Sequence, residues 1–246
     1  MVEIPLALEA QGVIQSGIPF ATHYLAAYGP MFSALILTWL TGGSQGLREL
    51  FGRMTRWRVS PGWWLVAVAP LGLYLVVAAA LRLIQGIPVD VVAMGQVDFL
   101  PALGLAALPM WILTFGIGEE TGWRGFALPR LQEDRSALHA TFILWVFWAL
   151  WHLPLFFYSY DVSILPGFLI GLLAGAIVFT WLYNSTDGSV LMTAVWHGAF
   201  NFTTACIVCK TGVIAAIVST LVMVWAVFIV LLLKPASLAR EAKQVI

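Results

Sequence analysis

Seven segments of this chain are long and apolar enough to cross a bilayer, and that constrains its fold more than any other feature. They run roughly over 18–40, 62–84, 100–133, 137–158, 163–184, 188–208 and 211–233. A spanning helix needs about 20 mostly apolar residues. The composition agrees: 61% of the 246 residues are hydrophobic and 10% are charged, against about 25% charged in an ordinary soluble domain. The mean hydropathy is +0.93. So few charges do not cover a soluble globule of this size. The expected fold is all-α, a polytopic transmembrane helix bundle of about seven spans with a polar site inside the bundle. A formal net charge of zero argues against a nucleic-acid partner, which needs a basic face.

Turn chemistry separates the segments: Gly42-Gly43, Ser60-Pro61-Gly62, Gly86-Ile87-Pro88, Asp161 to Pro166, Ser185 to Gly188, and Lys210 to Gly212. Lys and Arg set the orientation. With an outer N-terminus, Arg48, Arg53, Arg56, Arg58, Arg124, Arg130, Arg135, Lys234, Arg240 and Lys243 all fall on or toward the cytoplasmic side. Arg82 and Lys210 fall toward the other. The C-terminus is therefore expected in the cytoplasm. Residues 1–17 lack the basic start and continuous apolar stretch of a signal peptide and are expected to form a short interfacial segment. Leu47 to Trp57 (LRELFGRMTRW) reads as a cytoplasmic loop anchored by snorkelling Arg and interfacial Trp. Cys206 and Cys209 form a CxxC, read as two small apolar residues on a helix because no second CxxC completes a zinc site.

Ionisable residues inside spans are costly and mark function. Beyond Arg82 at a span end, those deep in apolar segments are Glu119, Glu120 and Arg124 in the third, His152 in the fourth and His197 in the sixth, with Asn201 one turn beyond His197. Glu120 and Arg124 are i,i+4 neighbours on a helix and can pair. Glu119 points about 100° away, so its partner must come from across the bundle. Two adjacent carboxylates in low dielectric do not both ionise easily. Arg124 settles one and leaves the other as a general base. His197 and Asn201 share a helix face, and Gly198 and Ala199 let another backbone approach. Pro154 removes a backbone hydrogen bond just after His152 and can kink that helix.

Depth brings these residues together. At 1.5 Å per residue, Glu119 and His152 lie about 22 Å from their cytoplasmic helix ends, His197 about 14 Å and Asn201 about 20 Å. A carboxylate, two imidazoles and an amide suit hydrolysis by an activated water, with amide-type donors at the oxyanion. The chain has no nucleophile elbow and no HExxH. Glu119, His152 and His197 also make a possible zinc set with one open position, and the residues alone leave both versions open. A proton-coupled transporter would explain buried Glu, His and Arg as well, but it usually carries internal repeats, and none stands out. A non-enzymatic immunity or scaffold protein is the third reading. His23 reads as structural or interfacial, His139 as solvated at a helix start, and Gly171 and Gly175 as packing positions.

Glu119-Glu-Thr-Gly-Trp-Arg124 resembles the EExxxR motif of the CPBP (ABI) family, which comprises CAAX prenyl endopeptidase type II enzymes and bacteriocin-processing or self-immunity membrane proteins. His152 stands where the family has FxxxH, and His197-Gly-Ala-Phe-Asn201 matches HxxxN/D. The resemblance covers about residues 105–205, and the three motifs together are specific. The chain departs at Trp148, four residues before His152, where the family has Phe. Phe147 lies beside it. The resemblance implies an intramembrane endopeptidase acting on a membrane-associated peptide or protein, prenylated or not. It assigns Glu119 and His152 to water activation, His197 and Asn201 to the oxyanion, and Glu120 and Arg124 to their support. Members are described both as metalloproteases and as glutamate-type peptidases, and the metal-free version is the expectation here. The implied organisation is an interfacial segment over 1–17, helices and a cytoplasmic loop over 18–100, a catalytic core over 101–208, and a last helix and tail over 209–246.

Overall fold

The computed structural model describes residues 3–15, 17–86, 94–97, 101–205 and 212–246. Among them every regular element is a helix: α1 (Glu3–Ala10), α2 (His23–Ala26), α3 (Gly29–Met54), α4 (Pro61–Ala67), α5 (Ala69–Gln85), α6 (Leu108–Trp111), α7 (Gly118–Gly122), α8 (Leu128–Asp134), α9 (Ala137–His152), α10 (Leu165–Ser185), α11 (Val190–Thr204) and α12 (Val213–Leu232), with short 3-10 and π segments between them. Phe20–Met54, Ala137–Phe157, Val162–Ser185 and Val213–Leu232 are long and apolar enough to cross a membrane. Pro61–Ala67 and Ala69–Gln85, bent by 56°, make a fifth if taken as one span. The protein is an integral, multi-pass helical bundle. Four or five stretches among the described residues meet that criterion, against the seven expected. The other two expected spans are built differently. The stretch 108–134 is assembled from short helical pieces around its charged residues, and α11 has only 15 residues. Cys206, Cys209 and Lys210 lie outside the described residues.

α11 is the interior helix. From Val190 to Ala199 every residue but Leu191 is buried, as expected for a helix enclosed on all sides by protein. It packs against α4, α5, α6, α10 and α12 and crosses the π segment Ile112–Ile117. The outer helices turn apolar side chains outward: Phe32, Ile36 and Leu40 on α3, and Phe228, Leu231 and Leu232 on α12 are exposed. On a soluble protein such faces would be interaction patches; here the hydrocarbon covers them.

Local chemistry accounts for the helix ends. Ser136 caps α9, its hydroxyl accepting from the His139 N–H, and Ser189 caps α11 by accepting from Met192. His139 is exposed at that start, as expected. Pro154 cannot donate to an α-helix, so α9 ends at His152 and a 3-10 turn, Leu153–Phe157, follows. The break expected at Gly42-Gly43 is a kink: Gly43 takes φ 55°, which glycine adopts at no steric cost. The chain then resumes as helix through Met54. Residues 47–54 are therefore helical, and the expected loop is confined to the residues after them.

One end of the bundle is tied by polar groups. Gln132 and Asn184 exchange side-chain amide bonds of 3.1 and 2.8 Å, and Asn184 also donates to Ser237 O at 2.7 Å. Lys243 donates to the carbonyls of Gln132 and Arg135, and Arg56 pairs with Asp187. The basic residues of the sequence thus gather where α3, α8 and α10 end. At the other end α1 lies on the 3-10 turn after His152, with Gln11 donating to Phe157 O at 2.8 Å. His23 sits there between Glu3 (3.4 Å) and the Tyr158 hydroxyl (2.9 Å). Burial first, then the nearby Glu3 charge, pushes the Tyr158 phenol up, so Tyr158 keeps its proton and donates it to His23 Nδ1.

Close crossings need absent side chains. A Cβ on Gly116 would lie 2.3 Å from Ala194 O of α11, one on Gly122 2.5 Å from Pro30 Cβ of α3, and one on Gly198 2.5 Å from Ile112 Cα. Gly171 packs on Met223 of α12 as expected, whereas Gly175 meets nothing beyond Phe179 of its own helix. Gly116→Ala should lower the melting temperature in detergent by the equivalent of about 1–3 kcal/mol or more, the range for overpacking. Gly167→Ala, with open space around it, should leave melting unchanged.

Candidate active site

Glu119 and Glu120 lie on α7, one turn of helix between two π segments, Ile112–Ile117 and Trp123–Ala127. Such π segments often accompany functional sites. The two carboxylates face different helices. Glu119 Oε2 accepts from the indole Nε1–H of Trp148 on α9 at 2.7 Å. Glu120 Oε1 accepts from Arg124 Nη1 at 2.9 Å and from His197 Nδ1 on α11 at 2.8 Å. Glu119, Glu120 and Arg124 are 3%, 0% and 0% exposed, and His197 is 4% exposed.

A buried guanidinium is expensive unless paired and hydrogen-bonded. Glu120 supplies the counter-charge. The Arg124 Cζ also sits 4.6 Å from the ring centre of Trp148 and 4.4 Å from that of Phe179, and aromatic faces attract a cation more strongly where water is excluded. Arg124 Nε and Nη2 and Glu120 Oε2 have no protein hydrogen-bond partner among the described residues.

The acceptors assign the imidazole protons. His152 Nδ1 lies 2.7 Å from Trp148 O, a backbone carbonyl in its own helix. A carbonyl cannot donate, so the proton is on Nδ1 and Nε2 carries the lone pair in the neutral ring. His197 Nδ1 faces a carboxylate that is ion-paired, so it too is the donor. His152 is half-buried, its ring 5.5 Å from those of both Trp148 and Phe168. Asn201 is half-buried one turn beyond His197. The way in is therefore by His152 and Asn201, with the carboxylates behind them.

The structure thus gathers Glu119, Glu120, Arg124, His152 and His197 around Trp148, whose ring also meets that of His197 edge-on at 5.8 Å. Asn201 lies on the same helix as His197 and nearer the opening. Two contacts are not evident from sequence spacing. Glu120, expected to be held by Arg124 alone, also holds His197. Trp148, read as an aromatic wall in place of Phe, donates a hydrogen bond to Glu119. The signal for the second was available, because a Trp deep in an apolar helix must place its N–H somewhere.

A zinc ion would need Glu119, His152 and His197 to converge. Among the described residues no three His, Cys, Asp or Glu side chains are grouped so as to hold a metal. Glu119 is instead engaged with Trp148 and His197 with Glu120. The zinc set drawn from the sequence does not fit this arrangement.

Residues 101–203 match the profile of the Rce1-like type II CAAX prenyl endopeptidases. This stretch contains every residue named above. A protein of Methanococcus maripaludis named CAAX prenyl protease 2 is 35% identical over 113 residues, which cover 42% of this chain and 40% of that one. The chain thus spans less than half the length of this curated relative. The likeness falls on the half of the molecule that holds the buried charges.

The two glutamates should separate in a stability measurement. Glu120→Ala leaves Arg124 buried without its counter-ion and should cost about 3–5 kcal/mol, seen as a large fall in melting temperature or loss of folded protein in detergent. Glu119→Gln keeps an oxygen for the Trp148 N–H and should melt within about 1 kcal/mol of the parent.

Proposed function

We propose that this chain is an intramembrane endopeptidase that hydrolyses a peptide bond by water activated between Glu119 and His152. The observation that carries the reading is the pairing of these two groups through one turn of α9: Trp148 donates its indole N–H to Glu119 and accepts the Nδ1–H of His152 on its backbone oxygen. This leaves Glu119 Oε1 and His152 Nε2 to take hydrogen bonds from a water. In the reaction Glu119 removes a proton as the water oxygen bonds to the scissile carbonyl carbon. The oxyanion takes hydrogen bonds from the Asn201 amide and from His197 Nε2. His197 can donate there only as an imidazolium, because its Nδ1 proton is engaged with Glu120, and the Glu120 carboxylate supplies the counter-charge. Collapse breaks the C–N bond, and the proton held by Glu119 passes to the leaving amine. No step is routed through a metal.

The matched profile and the relative's name support a protease acting on a membrane-associated protein of the prenylated CAAX kind. The basic end of the bundle, with the tail, is assigned to the cytoplasm, where Lys and Arg concentrate in membrane proteins.

Purified protein in lipid should cleave a fluorogenic prenylated peptide. Glu119→Gln and His152→Ala should each lower turnover by about 10²–10⁴-fold, the usual scale of general acid–base catalysis, while the helical signal stays intact. Normal cleavage by both variants overturns the reading, and flux of a solute without cleavage points to a transporter. For the metal, elemental analysis and a chelator titration should find activity without stoichiometric zinc. Zinc at one per chain with chelator-sensitive activity overturns the metal-free mechanism.

A further inference from the structure

We propose that Trp148 is a positioning residue that aims both water-activating groups, holding Glu119 with its side chain and His152 with its backbone. This rests on the hydrolase reading above. The evidence is the choice of acceptor. Elsewhere in the protein a tryptophan N–H is satisfied by a backbone carbonyl: Trp111 donates to Gly95 O at 2.7 Å and Trp145 to Leu169 O at 3.0 Å. The N–H groups of Trp123 and Trp196 are buried with no protein partner among the described residues. The N–H of Trp148 instead meets a carboxylate oxygen at 2.7 Å, with both residues only 3% exposed.

A carboxylate on a short helix has one soft torsion at its end, and its two oxygens are equivalent until something distinguishes them. The indole distinguishes them. With Oε2 held, Oε1 is the oxygen that faces the reaction. The indole itself cannot swing. Arg124 lies over its ring at 4.6 Å, and Phe179 and His197 meet it edge-on, each at 5.8 Å. The same residue's carbonyl fixes the His152 tautomer one turn later at 2.7 Å. A hydrogen bond to a group in the reacting shell keeps that group within the narrow geometry catalysis requires. Phenylalanine, the residue of the FxxxH motif at this position, fills similar space but has no N–H to give. The departure from that motif therefore adds a constraint on Glu119 that a phenyl ring cannot supply.

The test removes only the N–H. Two full-length variants are reconstituted in lipid: Trp148→Phe, and a protein carrying 3-benzothienylalanine at 148, in which sulfur replaces the indole N–H and the ring shape is kept. Both should show kcat reduced by about 10- to 100-fold, with KM within about twofold. A packing role predicts that the sulfur analogue matches the parent, so parental kcat in that protein overturns the proposal. A second readout needs no substrate. The indole N–H resonance deleted by Trp148→Phe is followed in ¹⁵N-tryptophan-labelled protein, and it should move when Glu119 is changed to Gln. An unmoved resonance also overturns the proposal. If the resonance moves but the parent protein hydrolyses no peptide, the hydrolase reading falls and takes the positioning role with it. If the parent cleaves and the analogue cleaves equally well, the positioning role falls alone.

Discussion

The ion pair between Arg124 and Glu120 is the constraint around which the rest of the bundle is arranged. Both side chains are fully buried, 2.9 Å apart. Taking two charges out of water costs several kcal/mol per ion before any return, so such a pair persists only if the surroundings complete it. The completion comes from other helices. α11 brings His197 to the same Glu120 oxygen, α9 brings the face of Trp148, and α10 brings the face of Phe179. The charges therefore dictate which helices meet. They also account for α11, short and enclosed, at the centre rather than against lipid.

Close packing makes this arrangement rigid. The chain around the carboxylates is rich in glycine, and Gly116, Gly118, Gly122 and Gly198 each face a neighbouring backbone that leaves no room for a methyl group. In hydrocarbon there is no hydrophobic force between helices, so association rests on close van der Waals contact and interhelical hydrogen bonds. Here both are concentrated in the region that carries the chemistry. The polar clamp of Gln132 and Asn184 does similar work at the basic end, tying α8 to α10 and to the tail.

Much of this was legible in the residues. The helical class followed from the apolar segments, and the Glu120–Arg124 pair from i,i+4 spacing. The divergence of Glu119 from Glu120 followed from the helical angle, and the end of α9 beside His152 from Pro154. What escaped was set by contacts distant in sequence. Glu120 and His197 are 77 residues apart, and Trp148 and Glu119 are 29 apart. Periodicity assigns a residue to a face of its own helix but does not say which helix lies opposite. Span counting failed for the same reason. A helix enclosed by protein needs neither the length nor the uniform greasiness of one that meets lipid, so α11 and the 108–134 stretch do not look like ordinary spans once their neighbours are known.

The two π segments on either side of α7 carry a consequence for how this protein can vary over evolutionary time. Each is a widened turn, holding one more residue than an α-helical path of the same rise. Removing a single residue from either would tighten that turn and rotate everything beyond it by about 100°. Glu119 would then no longer share an orientation with Trp148 while Glu120 kept its own with Arg124 and His197. The spacing of this stretch is thus locked more tightly than its composition. Descendants of such a chain can exchange side chains along residues 112–127 far more freely than they can gain or lose a position there.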